Sequence, residues 1–133
     1  MIKIFKRYCK TLQLQNDPLL IEEYKRMHAM GNGWPEITEG MKEVGIIDME
    51  IYLSGTTVFM IMDTEENFEH DVAMRKLASS PRQSEWEAAV SKYQESDASL
   101  SAKEKWKLIE RIYKMDQKKE FKVEEGYVEQ IIL

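Results

Sequence analysis

The chain has 133 residues, 43% of them apolar, and a net charge of −5, which is the size and balance of one globular domain. No basic stripe extends beyond Lys3, Lys6, Arg7 and Lys10, which argues against a nucleic-acid partner, and no apolar run approaches the roughly 20 residues that span a bilayer. A single cysteine, Cys9, and two histidines, His28 and His70, exclude an internal disulfide, a multi-thiolate centre and a His-rich metal site.

The N-terminal MIKIFKRYCK is charged and lacks the long apolar core of a signal peptide, so a cytoplasmic protein is expected. Ile2–Leu14 is rich in strand formers and reads as a strand, with Cys9 as a small apolar residue rather than a nucleophile. Asn16-Asp17-Pro18 starts a helix: an Asn or Asp cap, then Pro in the first turn. Leu19, Leu20, Tyr24 and Met27 give its apolar stripe, and it runs to about Met30 before Gly31-Asn32-Gly33 breaks it. Trp34–Val44 is a shorter helix with Ile37, Met41 and Val44 on one face, ended by Gly45. Ile46–Ser54 is a strand in which Ile47, Met49, Ile51 and Leu53 alternate with Asp48, Glu50 and Tyr52. After the turn Ser54-Gly55-Thr56, Thr57–Asp63 is the hairpin partner, and its near-continuous apolar run predicts burial on both faces.

Thr64 caps a helix over Glu65–Ala78, with Phe68, Val72, Arg75 and Leu77 marking its inward side. Pro81–Tyr93 is another helix, with Trp86, Ala89, Val90 and Tyr93 on one face, and Glu95–Ala102 is a polar loop. Lys105–Met115 fits a helix and a strand equally. The element order is β-α-β-β-α-β, the split βαβ arrangement, and it favours the strand for Trp106–Met115. The expected fold is therefore α+β and ferredoxin-like: an antiparallel sheet with helices on one face. The other face needs cover, and two copies closing face to face, as a dimeric α/β barrel, are the simplest solution.

Chemistry concentrates in Glu22–Glu36, EEYKRMHAMGNGWPE. Tyr24 and His28 stand four apart and share one helix face beside a flexible turn and a large aromatic, Trp34. That arrangement suits one wall of a small-molecule pocket; it equally suits a helix whose Tyr and His are satisfied locally. Trp34 and Trp106 read as core. His70, next to Asp71, reads as a solvated surface residue. Asp63 ends a strand and suits a cap or salt bridge as well as a pocket.

From about Lys3 to Met115 the chain resembles the L-rhamnose mutarotase family. The resemblance rests on EEYKRMH (Glu22–His28), WPE (Trp34–Glu36), the piece ending in Gly45, IYL (Ile51–Leu53), the strand Val58–Asp63, and EWE (Glu85–Glu87), in that order and spacing. It implies a small cytoplasmic homodimer that interconverts the α and β anomers of 6-deoxy sugars without metal or organic cofactor. It also implies His28 as the catalytic acid/base and Tyr24 as a sugar-binding residue. Two positions depart from the rhamnose enzymes: Met49 stands where they carry a sugar-contacting tyrosine, and Glu85-Trp86 where they carry paired tryptophans. That pattern is more similar to the L-fucose-acting relatives.

Imidazole titrates nearest neutrality, which suits a reaction that both removes and delivers protons. Trp86 would offer an apolar plate to the sugar, and Glu85 would accept hydrogen bonds from its hydroxyls. Two rival readings remain at this level: a non-catalytic ligand-binding barrel, and a haem-handling enzyme with His28 as axial ligand. Residues 1–115 are expected to form the mutarotase-like domain. Residues 116–133 form a C-terminal extension, read as a docking arm or a tail.

Overall fold

The computed structural model describes residues 2–97, 99–115, 121–123 and 126–132. The first strand, β1 (Ile2–Gln13), lies at the centre of an antiparallel sheet. On one side it pairs with β3 (Thr57–Thr64), from Lys6↔Thr64 to Gln13↔Thr57. β3 pairs in turn with the edge strand β2 (Ile46–Ser54), its hairpin partner. On the other side two strands share β1: β4 (Lys107–Leu108) opposite Lys10 and Thr11, and β6 (Gly126–Ile132) opposite Ile2–Arg7. β5 (Phe121–Val123) pairs outside β6. The order β2-β3-β1-β4 is that of the split βαβ arrangement, with β5 and β6 added to it.

Local chemistry explains the helices. In α1 (Pro18–His28), the Asp17 carboxylate accepts from the Leu19 and Leu20 amides at 3.0 and 3.4 Å, and Pro18 occupies the first turn. In α2 (Pro35–Glu43), Pro35 again starts the helix, and Gly45, at φ +103°, follows its end and turns the chain into β2. α3 (His70–Ala78), α4 (Gln83–Ser91) and the short α5 (Ala102–Lys105) connect β3 to β4. The end of α4 is tied back to β1 by Gln15 N–H to Tyr93 O and Glu95 N–H to Gln13 O, at 2.8 and 2.9 Å.

Among the described residues, all five helices join one side of the sheet. Tyr8, Leu12 and Leu14 of the first strand segment and Val58, Met60 and Met62 of β3 form one buried cluster with Tyr24, Met74, Leu77, Val90 and Trp106. Each such side chain contributes about 1.5–3 kcal/mol on full burial. β3 is buried on this face alone: Val58, Met60 and Met62 are inside, whereas Phe59 is 39% exposed, so the continuous apolar run does not mark two buried faces. The face away from the helices carries a bidentate Arg7–Asp63 ion pair, at 2.8 and 2.9 Å, which is where Asp63 spends its carboxylate.

Two segments depart from the sequence reading. α3 starts at His70, because Glu65–Phe68 forms a turn closed by Phe68 N–H to Glu65 O. The helix phase is therefore set by His70, Ala73, Met74 and Leu77, and Val72 faces solvent. His70 is buried against Tyr8 and Phe68, with Nδ1 2.9 Å from the exposed Asp71 carboxylate, and is not a solvated residue. The Trp106–Met115 strand shrinks to Lys107–Leu108. After Ile109 N–H donates to Cys9 O at 2.9 Å, the chain leaves the sheet, because β6 occupies the rest of that edge of β1. Arg111 stacks 4.4 Å over the Tyr127 ring, and both Arg111 and Lys114 pair with the buried Glu129. Burial works against the Glu129 carboxylate, but those two cations win and hold its pKa below the ordinary value.

Candidate active site

The final turn of α1 carries Tyr24 and His28, whose ring centroids are 4.4 Å apart. His28 Nδ1 lies 2.8 Å from the Tyr24 carbonyl oxygen. A carbonyl only accepts, so Nδ1 carries the hydrogen and the lone pair of the neutral ring sits on Nε2. α4 brings Trp86 edge-on to the imidazole at 5.4 Å, and Trp34, at the start of α2, stands edge-on to Trp86 at 5.2 Å. Arg82 closes this aromatic row: its guanidinium lies 4.2 Å over the Trp34 ring and pairs with Glu36 and Glu85 at 3.5 and 3.2 Å.

Behind the row is a cavity of about 190 Å³ between the helices and the sheet, far larger than one water requires. Tyr24, His28, Trp34 and Trp86 form its aromatic side, and Met49, Met60 and Met62 rise from the sheet. Lys10, Gln83, Glu87 and Gln94, all buried, supply polar groups to the same cavity. Gln94 Nε2 donates to the Tyr24 hydroxyl at 3.5 Å. Burial of the Tyr24 phenol pushes its pKa up to about 12, against a smaller opposite effect of that hydrogen bond. Tyr24 is therefore a neutral donor near pH 7. An apolar cleft with a few convergent polar groups is the usual form of a small-molecule site. Among the described residues, no three His, Cys, Asp or Glu side chains stand together as a metal site would require.

Four of the five residues singled out in the sequence, Tyr24, His28, Met49 and Trp86, line this one cavity. Glu85 does not: it lies on the outward side of α4, its side chain 61% exposed and bound to Arg82. Trp34 and Trp106, read as core, both line the cavity. The polar residues Lys10, Gln83, Glu87 and Gln94 were not singled out. A signal for two of them exists: Gln83 and Glu87 stand four apart and bracket Trp86, so they share its helix face. Lys10 stands between Tyr8 and Leu12 in the inward alternation of β1, where a lysine is costly unless it is used or paired.

The chain is similar to several known proteins. A family model described as L-rhamnose mutarotase matches residues 7–115. An L-fucose mutarotase of Xanthomonas campestris is 30% identical over 112 residues, covering 84% of this chain and 90% of that protein. A UPF0734 protein of Dictyostelium discoideum is 32% identical over 116 residues, covering 84% of this chain and 91% of its own length. The crystal structure of an L-rhamnose mutarotase from Formosa agariphila superposes with a TM-score of 0.62 at 16% identity, covering 83% of this chain and 98% of that one, a likeness of fold.

Proposed function

The chain belongs to the L-rhamnose mutarotase family of sugar isomerases, and from that premise we propose that it interconverts the α and β anomers of a 6-deoxy-hexose, L-fucose before L-rhamnose, with His28 as the acid/base. The observation that carries the proposal is the 2.8 Å bond from His28 Nδ1 to the Tyr24 carbonyl, which leaves Nε2 as the basic nitrogen at a cavity lined by aromatic rings. Nε2 takes the proton from the anomeric hydroxyl as the C1–ring-oxygen bond breaks and the C1 aldehyde forms. The electron pair of that bond goes to the ring oxygen, which receives the proton back from His28 Nε2. Rotation about C1–C2 and the reverse steps close the other anomer. The reaction consumes nothing and needs no metal or organic cofactor. Tyr24, a neutral phenol at working pH, donates a hydrogen bond to the sugar rather than accepting a proton. Trp86 packs on the C–H face of the ring, and Met49 offers an apolar surface.

L-Fucose is favoured by the L-fucose mutarotase of X. campestris and by Met49 and Glu85 at the two departing positions. Glu85 serves this site from its rim, by fixing Arg82 over Trp34. The protein acts as a cytoplasmic homodimer, and the C-terminal extension belongs to the same folded unit through β6 (Gly126–Ile132), docked on β1; residues 116–120, 124–125 and 133 of that extension lie outside the described residues. Exchange NMR on the anomeric protons of L-fucose and L-rhamnose tests the substrate. Faster α/β exchange for L-fucose is expected; acceleration of L-rhamnose alone reverses the order, and no acceleration of either contradicts the proposal.

A further inference from the structure

The cavity also carries polar groups that the proposed reaction does not use. Gln83 opens α4 and is 2% exposed. Its Nε2 donates to Glu87 Oε2 at 2.8 Å. A carboxylate only accepts, so the amide nitrogen must face Glu87 and the amide oxygen must point elsewhere. Glu87 is itself fixed. Its Oε1 accepts from Lys105 Nζ at 3.1 Å, and the same ammonium donates to the Glu87 carbonyl at 2.5 Å, with the Lys105 side chain fully buried. The Gln83 amide is thus held in one orientation by a buried, charged support. Yet Gln83 Oε1 is buried and has no hydrogen-bond partner among the described residues. Buried acceptors without donors are costly and uncommon in folded proteins. Gln83 and Glu87 line the same cavity as His28, Trp34 and Trp86.

We propose that Gln83 is a substrate-recognition residue whose Oε1 accepts a hydrogen bond from one ring hydroxyl of the bound sugar, with Glu87 and Lys105 as positioning residues that set the amide. This rests on the sugar-binding reading of the cavity. It assigns hydroxyl selection to the inward side of α4 rather than to the outward-facing Glu85. It also explains why a charged pair is buried beneath an apolar, methionine-lined pocket. A site built to take a hydroxyl discriminates strongly against the analogue that lacks it, because the acceptor is then left unpaired.

The test is a cycle between side chain and hydroxyl. Dissociation constants are measured by calorimetry for L-fucose, L-rhamnose and their 1-, 2-, 3- and 4-deoxy analogues, with the wild-type protein and with Gln83→Met. The variant is expected to bind the preferred sugar about tenfold more weakly, and to match the wild type for one deoxy analogue only. A variant that binds the parent sugar as the wild type does, or that loses the same factor for every analogue, overturns the assignment. A second measurement needs no variant. The side-chain amide signals of Gln83 in the wild-type protein are expected to shift on adding the sugar and to stay in place with the one matching analogue; equal shifts with all analogues contradict the proposal. Anomer exchange is followed in parallel. Coupling to Gln83 without exchange overturns the mutarotase chemistry alone, and exchange without coupling overturns only the role of Gln83.

Discussion

His28 Nδ1 lies 2.8 Å from the backbone carbonyl of Tyr24, one helical turn earlier, so the backbone of α1 selects the tautomer of its own histidine. That bond lies within one helix, and Trp86 stands edge-on to the ring at 5.4 Å. The same turn presents a buried phenol that stays neutral and an imidazole whose basic nitrogen is Nε2.

That phenol carries a pH signature. Burial raises the Tyr24 pKa to about 12, whereas in the unfolded chain it keeps its ordinary value of 10.0. The folded state therefore binds the extra proton within that window, and this contribution to stability is complete below pH 10 and lost as pH rises through the folded value. Urea unfolding at pH 9 and pH 11 should show wild type losing more stability over this interval than Tyr24→Phe. Equal losses would contradict the burial argument.

Lys105 and Glu87 form a buried ion pair whose members are 4% and 6% exposed. Removing one partner strands the other charge, so Lys105→Met should cost about 3–5 kcal/mol of stability. The double variant Lys105→Met/Glu87→Gln should recover much of that loss, because the remaining groups are neutral. Chemical denaturation of the three proteins checks the sign, and a double variant no better than Lys105→Met would refute it.

Gly126 begins β6 directly over the Tyr8 ring. A Cβ there would lie 2.5 Å from the nearest ring carbon. Tyr8 is fully buried against Phe68 and His70 and cannot retreat. Gly126→Ala should therefore cost about 1–3 kcal/mol, read as a lower melting temperature. Deletion of residues 116–133 should lower it as well, because it removes β6 from the edge of β1. An unchanged melting temperature in both proteins would remove the docked arm.

The extent to which the sequence disclosed this structure follows from where each signal is encoded. Alternation in Ile46–Ser54, the Asp17-Pro18 cap and Gly45 are local signals, and the elements they predict are present within a few residues. The phase of α3 departs from the sequence expectation because Phe68 is spaced as a helix residue but lies in the turn before it. The strand expected over Trp106–Met115 is present only as Lys107–Leu108, because β6 competes for the same edge of β1. In the site, Tyr24 and His28 were legible as neighbours at one helical turn. The contact between Trp34 and Trp86 joins residues far apart in sequence and carries no local mark. The buried orientation of Gln83 depends on Lys105, a residue beyond the loop that follows α4, and is visible only in three dimensions.

The most direct test of the account is anomer exchange in L-fucose followed by NMR with wild type and with His28→Asn at equal concentration. Asn removes the imidazole, and His28 is exposed, so the fold should persist; exchange slowed by about 10²–10⁴-fold with an unchanged melting temperature is expected. Exchange at the wild-type rate in His28→Asn would contradict it.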